Sequence, residues 1–342
     1  MDTAIMSNTS AGIATLIVAG VTNASFTLPM KYTRKWAWEN TWLVWTVFAL
    51  VVLPFAIALM TIPNLSGVYR SAAPDTILEV CGFGAGWGVA QVFFGLAVDM
   101  IGITLAFSIV LGTSAAVGSL IPMISLHRGH LNTTAGYAVI GANALVLVGV
   151  MLCAAAGRLR EAPSRQPTSS QKRTSQGLLL SILCGLLASF MNFGVVFGTP
   201  LAQVARSFGA NGLNAINAIW LPLLLSGAIP NVLYCAWLMK RNGSGYRYRE
   251  GRSHWILAAM MAVFWFGSTL LYGLAASQLG AWGPILGWPL FMSLIVITAT
   301  MLGMSMGEWK GCGPLPIRIH WTGVAVLVLA IFILADSSRY LQ

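Results

Sequence analysis

Two pairs of side chains within apolar stretches of the chain have the types and spacing to hold a polar solute. Gln91 lies four residues after Trp87, and Thr269 lies four residues after Trp265. Residues four apart share one face of a helix, so each pair would present an aromatic ring beside a hydrogen-bonding group. Amides and hydroxyls also join packed helices to one another. The sequence leaves both interpretations open.

Carboxylates are few, and most of the nine Asp and Glu residues lie at the ends of apolar stretches. Glu79 is the one that lies a helical turn inside such a stretch. An ionisable group costs roughly 2.5–3.5 kcal/mol to insert into a bilayer, so an acid there suggests a function. Burial raises the pKa of a carboxyl group, which suits proton exchange near neutral pH. Glu79 is therefore a candidate proton-binding residue, and the alternative is an ordinary hydrated Glu at the membrane interface.

The composition indicates which solvent surrounds these residues. Of the 342 residues, 57% are hydrophobic and 8% are charged, and the mean hydropathy is +0.78. A soluble domain has roughly 25% charged residues, so the chain is predicted to lie mostly in lipid. The five Cys residues are scattered without metal-site spacing, and their odd number argues against a disulfide framework. We expect no metal and no cofactor.

Ten stretches are long and apolar enough to cross a bilayer as helices, which takes about 20 residues. They cover approximately 10–30, 41–62, 77–98, 102–125, 134–156, 176–198, 212–238, 255–278, 282–306 and 319–336. The sequence therefore predicts an all-α polytopic membrane protein with ten spans. Very little chain joins spans 3 and 4, or spans 8 and 9, so each pair is predicted to form a tight antiparallel hairpin.

Lys and Arg are distributed unevenly over the loops. The loops that follow odd-numbered spans contain 15 of the 19 basic residues. Cytoplasmic loops of membrane proteins are enriched in Lys and Arg, so both termini are predicted to lie outside, on the periplasmic side of an inner (plasma) membrane. This bias explains the net charge of +10 without a nucleic-acid partner.

A polar segment near the midpoint, 158–175, divides the chain into two halves of five spans, 1–157 and 176–342. Residues 83–102 and 261–280 are identical at five of 20 positions at an offset of 178: Trp87/Trp265, Gly95/Gly273, Leu96/Leu274, Ala97/Ala275 and Gly102/Gly280. The match pairs span 3 with span 8, as a duplication of five spans requires. Because five is odd, the second copy would be inverted in the membrane, an arrangement common in secondary transporters.

Several blocks of the sequence resemble the L-rhamnose–proton symporter family of the drug/metabolite transporter superfamily. They are ASFTLPMKYTRKWAWENTW from Ala24, LPFAIALMTIPN from Leu53, FGAGWG at 83–88, FGLAVDMIG at 94–102, GTSAAVGSLIPMI at 112–124, QGLLLSILCGLLASFMNF at 176–193 and GEWKGCG at 307–313. The segments Lys35 to Glu39 and Glu308 to Gly311 are the most specific. The resemblance implies a secondary active transporter that imports L-rhamnose or a related deoxy sugar with protons by alternating access.

The chain departs from that family's pattern in two spans. Enteric members have an N-I-N-Y-G run where this chain has Gln91 to Gly95, and a Gln-Tyr-Asp-Tyr run where it has Trp282 to Ile285. The acid that those members carry in span 9 is therefore absent. Glu79 stands where they have an apolar residue or Pro, which makes it the leading proton-coupling candidate.

A deoxy sugar would need hydrogen-bonding groups for its hydroxyls and aromatic rings for its apolar face. The predicted substrate-binding residues are Asn23, Gln91, Asn192, Asn217, Trp87, Trp265 and Tyr272, with helix-to-helix packing as the alternative role. Glu39 and Glu308 lie beside basic residues at the predicted cytoplasmic face. Both are candidate gate residues, expected to pair with Lys35 and Lys310, and interfacial anchoring is the alternative.

Other functions fit the sequence less well. An enzyme embedded in the membrane would need a clustered nucleophile, a metal site or an acid–base pair, whereas the four His residues lie in separate loops or span ends. We therefore predict that the chain is not an enzyme. The main alternative is a transporter or exporter of another small polar solute, uncoupled or coupled to a different ion. The expected partners are the sugar, protons and the lipid bilayer.

Overall fold

The structure, a computed structural model, describes residues 9–161 and 171–337, and the regular elements in these ranges are all helices. In chain order they are α1 (Thr9–Ser25), α2 (Trp38–Thr46), α3 (Leu53–Thr61), α4 (Leu65–Ser71), α5 (Pro74–Ile101), α6 (Ile103–Leu126), α7 (Thr134–Glu161), α8 (Gln171–Ala188), α9 (Phe190–Phe197), α10 (Thr199–Ser207), α11 (Asn217–Asn242), α12 (Arg252–Gln278), α13 (Gly283–Ser305) and α14 (Pro314–Ser337).

The prediction of ten spans is confirmed, because ten helical segments are long and apolar enough to cross a membrane. Span 1 is α1 with the 3₁₀ turn after it, span 2 joins α2 to α3, and span 6 joins α8, α9 and α10. The other spans are single helices: α5, α6, α7, α11, α12, α13 and α14 are spans 3, 4, 5, 7, 8, 9 and 10. The short helix α4 lies between spans 2 and 3. The chain is therefore a multi-pass membrane protein.

The predicted linker, 158–175, lies partly outside the described residues, which omit 162–170. Its flanks belong to helices, since α7 continues to Glu161 and α8 begins at Gln171. Helix periodicity alone did not reveal these extensions, because both are polar.

The two predicted hairpins are present, and each turns at a glycine. Gly102 between spans 3 and 4 has φ +85°, and Gly280 between spans 8 and 9 has φ +74°. Only glycine adopts these angles without strain. The two glycines are equivalent positions of the predicted repeat, and the turns with positive φ at both positions fit that prediction.

The packing between spans is symmetric with respect to the two halves of the chain. Span 1 packs on spans 8 and 9, as span 6 packs on spans 3 and 4. Span 2 contacts span 8 as span 7 contacts span 3, while spans 4 and 9, and spans 5 and 10, pack against each other. Each half therefore inserts its first span into the other half, an arrangement that fits the predicted repeat.

Span 2 contains a distortion at its centre. Residues Val47–Val52 form a π-helical turn, in which the N–H of Leu53 donates to the carbonyl of Phe48, five residues back. Pro54 follows directly and supplies no N–H. Single π-turns inside α-helices occur frequently at functional sites.

The loops after odd-numbered spans meet at one end of the bundle, which we call the basic end. Lys31 at the end of span 1 and Arg160 at the end of span 5 both contact Glu308 in the loop after span 9. Trp36, also after span 1, contacts the loop between spans 7 and 8 through Glu250. This common location is what the predicted alternation of the spans requires.

Candidate functional site

Trp87 and Trp265, the equivalent tryptophans of the two halves, stack on each other inside the bundle. Their ring centroids are 5.4 Å apart and their planes differ by 29°. Trp87 lies near the middle of Pro74–Ile101 and Trp265 near the middle of Arg252–Gln278. The two halves therefore meet through aromatic faces at about the level of the membrane midplane, where secondary transporters place their substrates.

A row of tryptophans on span 2 connects this pair with the basic end. The distances between ring centroids are 5.1 Å for Trp38 and Trp42, which are stacked, and 4.4 Å for Trp42 and Trp45. Trp45 contacts Trp265 edge to face, with the ring centroids 5.3 Å apart. We call the five rings, Trp38, Trp42, Trp45, Trp265 and Trp87, the tryptophan column. The sequence analysis did not include Trp42 and Trp45. The signal was present, because positions 38, 42 and 45 have the spacing of one helix face.

Hydrogen-bonding side chains lie beside the column. Asn23 of span 1 donates to the hydroxyl of Ser268 at 2.7 Å, and Ser268 donates to the carbonyl of Trp265 at 2.6 Å. Gln91 is half-buried one turn beyond Trp87, and its amide makes no hydrogen bond to another described residue. The region around the tryptophan column therefore contains four of the predicted substrate-binding residues: Trp87, Trp265, Asn23 and Gln91.

Two polar atoms of span 2 in this region are also unpaired. The indole nitrogen of Trp45 and the hydroxyl of Thr46 are fully buried and have no hydrogen-bond partner among the described residues. By contrast, the indole N–H of Trp42 donates to the amide oxygen of Asn231 at 3.2 Å. The column therefore keeps hydrogen-bonding capacity that the protein itself does not use.

Asn192 and Tyr272, two other predicted substrate-binding residues, lie in a separate cluster that joins spans 4, 6, 8 and 9. The Asn192 amide donates to the carbonyls of Gly118 at 2.8 Å and Pro284 at 3.0 Å, and its oxygen accepts from the Tyr272 hydroxyl. We call Asn192, Tyr272, Gly118 and Pro284 the asparagine hub. Both N–H groups of Asn192 have protein partners, so the hub holds helices together as the structure stands.

Asn217 and Glu79 lie apart from both clusters. Asn217 donates to the hydroxyl of Thr61 at 3.0 Å and ties span 7 to span 2 at the end opposite the basic end. Glu79 is exposed on the surface of span 3, and it precedes Trp87 by eight residues, about 12 Å along a helix. The structure therefore does not bring Glu79 to the tryptophan column.

Glu39 is buried at the basic end, with 4% of its surface exposed. Its carboxylate accepts hydrogen bonds from the Ser244 hydroxyl at 2.6 Å and the Asn242 amide at 3.0 Å. The predicted pairing with Lys35 is wrong, because the donors are two uncharged side chains, one at the end of span 7 and one just after it. The contact joins the first half of the chain to the second.

Further hydrogen bonds fasten the same segment. The hydroxyl of Tyr248 donates to the carbonyl of Asn40 at 3.2 Å, and the indole of Trp36 donates to the carbonyl of Glu250 at 2.9 Å. Burial raises the pKa of Tyr248 to about 12, so the hydroxyl keeps its proton and remains a donor. Spans 1, 2, 7 and 8 are therefore connected at this end.

Glu308 makes an exposed contact of a different kind. Its two carboxylate oxygens pair with Lys31 at 3.0 Å and with Arg160 at 3.2 Å. The guanidinium of Arg160 also lies 5.1 Å over the ring of Trp309. The predicted pairing with Lys310 is wrong, since the partners come from the ends of span 1 and span 5. Such long-range pairs cannot be read from neighbouring positions in the sequence.

Comparison with known proteins gives a family for the whole bundle. The family model described as L-rhamnose-proton symport protein (RhaT) matches residues 5–337. The L-rhamnose-proton symporter of Mannheimia succiniciproducens is 27% identical over 328 residues, which is 93% of this chain and 95% of that protein. The corresponding protein of Cronobacter sakazakii is 28% identical over 330 residues, with the same coverage.

The fold also resembles a solved structure that is described only as "Crystal structure of protein". The TM-score is 0.60 at 14% sequence identity, and the match covers 97% of this chain and 99% of that one. At this identity the similarity concerns the fold alone. It shows that the overall arrangement of the helices occurs in another protein.

Proposed function

The chain belongs to the L-rhamnose-proton symport protein family, and on that premise we propose that it imports L-rhamnose or a related deoxy sugar together with protons. The observation that supports this most directly is the stack of Trp87 on Trp265, one ring from each half of the chain. Unused hydrogen-bonding groups lie around the stack. A sugar needs both kinds of partner, an aromatic face for its C–H groups and polar groups for its hydroxyls.

In this proposal the sugar binds where the two rings now cover each other. At a centroid distance of 5.4 Å no sugar ring fits between them, so the two halves must separate before it enters. The sugar then replaces one ring as the partner of the other. Gln91 and the Asn23–Ser268 pair supply donors and acceptors at the edge of the site. Movement of the halves 1–157 and 176–342 against each other, as in other transporters with repeats, opens the site to one side at a time.

Glu39 and Glu308 act as gate residues at the basic end. Each connects segments of the two halves, and each must release its partners before this end opens. The Glu39 contact is buried, whereas the Glu308 pairs are exposed and screened by salt. We therefore assign most of the closing free energy at this end to Glu39.

For proton coupling, Glu79 remains our candidate from the sequence. Its exposed position on span 3 makes it accessible from the end opposite the basic end. The replacement Glu79→Gln keeps the size of the side chain and forbids proton exchange. We expect accumulation driven by a pH gradient to fail, while sugar exchange at equal pH continues because exchange moves no net protons.

Asp75→Asn is a matched control for that experiment, because Asp75 is an exposed acid in the first turn of the same helix. Normal accumulation by the Asp75→Asn variant would show that loss of an acid at this surface does not by itself abolish accumulation driven by the pH gradient. Normal accumulation by the Glu79→Gln variant would contradict the assignment and leave coupling to Glu39, to another ion, or absent.

We propose that the protein lies in the inner membrane with the basic end in the cytoplasm and both termini outside. The support is the 15 of 19 basic residues in the loops after odd-numbered spans. A reporter that is active only in the periplasm should be active when fused to the carboxyl terminus. Activity of a cytoplasmic reporter at that position would reverse the orientation.

The transport function itself is tested by counterflow in proteoliposomes with L-rhamnose and a panel of other deoxy sugars, with and without a pH gradient. We expect exchange of L-rhamnose or a close analogue, and accumulation when the outside is acidic. Exchange of unrelated solutes only would contradict the proposed substrate class. Exchange without any response to the gradient would favour an uncoupled facilitator.

A further inference from the structure

Trp45 is the ring of the tryptophan column that touches both the span 2 row and the midplane pair. It lies 4.4 Å from Trp42 and 5.3 Å from Trp265, and 1% of its surface is exposed. Its indole N–H is nevertheless without a partner among the described residues. A buried donor without an acceptor destabilises the fold, so the arrangement is unfavourable unless another molecule accepts the hydrogen bond.

The next residue, Thr46, also has an unpaired polar atom, and it differs in this from several other threonines of the bundle. Seven helical threonines donate to the carbonyl four residues back: Thr15, Thr22, Thr61, Thr199, Thr269, Thr300 and Thr322. The buried hydroxyl of Thr46 makes no such bond and has no other partner among the described residues. Two neighbouring residues therefore leave polar atoms unpaired at the same level of span 2.

Both residues immediately precede the π-helical turn Val47–Val52. A π-turn changes the helical register, so side chains before and after it face directions that a regular helix would not combine. The distortion lies beside the midplane pair, since Trp45 contacts Trp265. It gives span 2 a local irregularity at the depth where the proposed sugar binds.

An unpaired indole is not by itself a binding site, and the position of Trp45 is what distinguishes it. Trp220 is equally buried, with 1% exposed, and its indole nitrogen is also unpaired. It lies next to Gly273, two turns along span 8 from Trp265, and it is not part of the column. Among the residues that the structure describes, only Trp45 combines an unpaired indole donor with ring contact to the midplane pair.

We propose that Trp45 is a specificity-determining residue whose indole N–H donates a hydrogen bond to one hydroxyl of the bound sugar. The inference rests on the proposed function, because it requires a hydroxylated ligand at the midplane. When the halves separate and the sugar contacts Trp265, the ring of Trp45 borders the same space. The donor then gains the acceptor that it lacks in the closed protein.

The test compares sugar binding by the wild type, a Trp45→Phe variant and a Trp220→Phe variant, each reconstituted and measured with L-rhamnose and its singly deoxygenated analogues. Loss of one hydrogen bond to a neutral hydroxyl should weaken binding by roughly 2- to 13-fold in Trp45→Phe. Trp220→Phe should change it less than about twofold. For the one analogue that lacks the recognised hydroxyl, wild type and Trp45→Phe should bind equally.

Unchanged binding by Trp45→Phe, or the same loss for every analogue, would overturn the inference, because a packing defect does not depend on which hydroxyl is present. If Trp45→Phe does not fold, a tryptophan analogue with sulfur in place of the ring nitrogen keeps the ring size and removes only the N–H. A wild type that binds none of the sugars would contradict the proposed function. A wild type that binds normally beside an unaffected Trp45→Phe contradicts only the inference.

Discussion

The asparagine hub and the tryptophan column are both polar–aromatic clusters inside the bundle, and the sequence made members of each candidates for binding the same ligand. They differ in what their polar atoms do. Asn192 uses both amide hydrogens and its oxygen on protein partners, whereas Trp45, Thr46 and Gln91 leave theirs unused. A saturated cluster stabilises the fold, while an unsaturated one keeps capacity for a ligand.

The largest expected effect is on the hub. Asn192→Ala removes its three hydrogen bonds and leaves the Tyr272 hydroxyl buried without a partner. Hydrogen bonds within membranes average about 0.6 kcal/mol, so three contribute about 2 kcal/mol, and one orphaned buried hydroxyl adds roughly 1–3 kcal/mol. We expect the free energy of unfolding in detergent to fall by about 3–5 kcal/mol, while sugar affinity of the folded fraction stays within about twofold.

The opposite result for Asn192→Ala would contradict the distinction between the asparagine hub and the tryptophan column. An Asn192→Ala variant with unchanged stability and weak sugar binding would place Asn192 in the binding site, as the sequence analysis predicted.

The second-largest effect is expected for sugar affinity when a ring of the tryptophan column is removed. Trp87→Ala removes one of the two aromatic faces at the midplane, and we expect sugar affinity to fall about tenfold, or about 1.4 kcal/mol. Trp288→Ala is the matched control, because Trp288 is similarly buried but packs on Tyr272 and donates to the carbonyl of Ser114 near the hub. It should lose stability and keep its affinity. Equal loss of affinity in both variants would mean that buried tryptophans matter only for packing.

The sequence predicted the parts of this comparison that depend on periodicity and repetition. Ten apolar stretches gave the ten spans, and the offset of 178 paired Trp87 with Trp265 before their stacking was known. It also predicted the two tight hairpins, whose turns lie at Gly102 and Gly280. These features follow from properties of single helices and from a duplicated pattern.

The sequence did not predict which polar groups form hydrogen bonds with one another. Asn192 and Gln91 look alike as isolated amides in apolar helices, and only the tertiary contacts separate them. Glu39 bonds Ser244 and Asn242 more than 200 positions away rather than the nearby Lys35. The π-turn of span 2, which ends two residues before Pro54, was also not predicted, because the local residues show no signal for it.

At the basic end, the buried contact of Glu39 can be compared with the exposed ion pairs of Glu308. Glu39→Gln keeps the shape of a buried side chain and replaces charge-assisted hydrogen bonds with neutral ones, a loss of about 1 kcal/mol. We expect an approximately fivefold shift toward the form open at this end. Faster alkylation of a cysteine placed at buried Thr41, with Cys81 and Cys312 replaced by serine, would report the shift. An unchanged alkylation rate would mean that Glu39 does not hold the gate.

The smallest effect is expected at Glu308. Its two ion pairs are exposed, and such pairs contribute about 0–1 kcal/mol. Glu308→Gln should raise the same alkylation rate less than Glu39→Gln does, and the difference from wild type should vanish in roughly 1 M salt, where the Debye length is about 3 Å. An effect that is larger than that of Glu39, or insensitive to salt, would reverse the assignment of the two gate residues.

The central claim is that a sugar enters by separating Trp87 from Trp265. A cryo-electron microscopy structure with bound L-rhamnose measures this directly as the distance between the two ring centroids, now 5.4 Å. We predict sugar density in van der Waals contact with at least one of the rings and a clearly longer distance between them. Sugar bound at the asparagine hub or elsewhere, with the two rings still stacked at their present distance, would contradict the account.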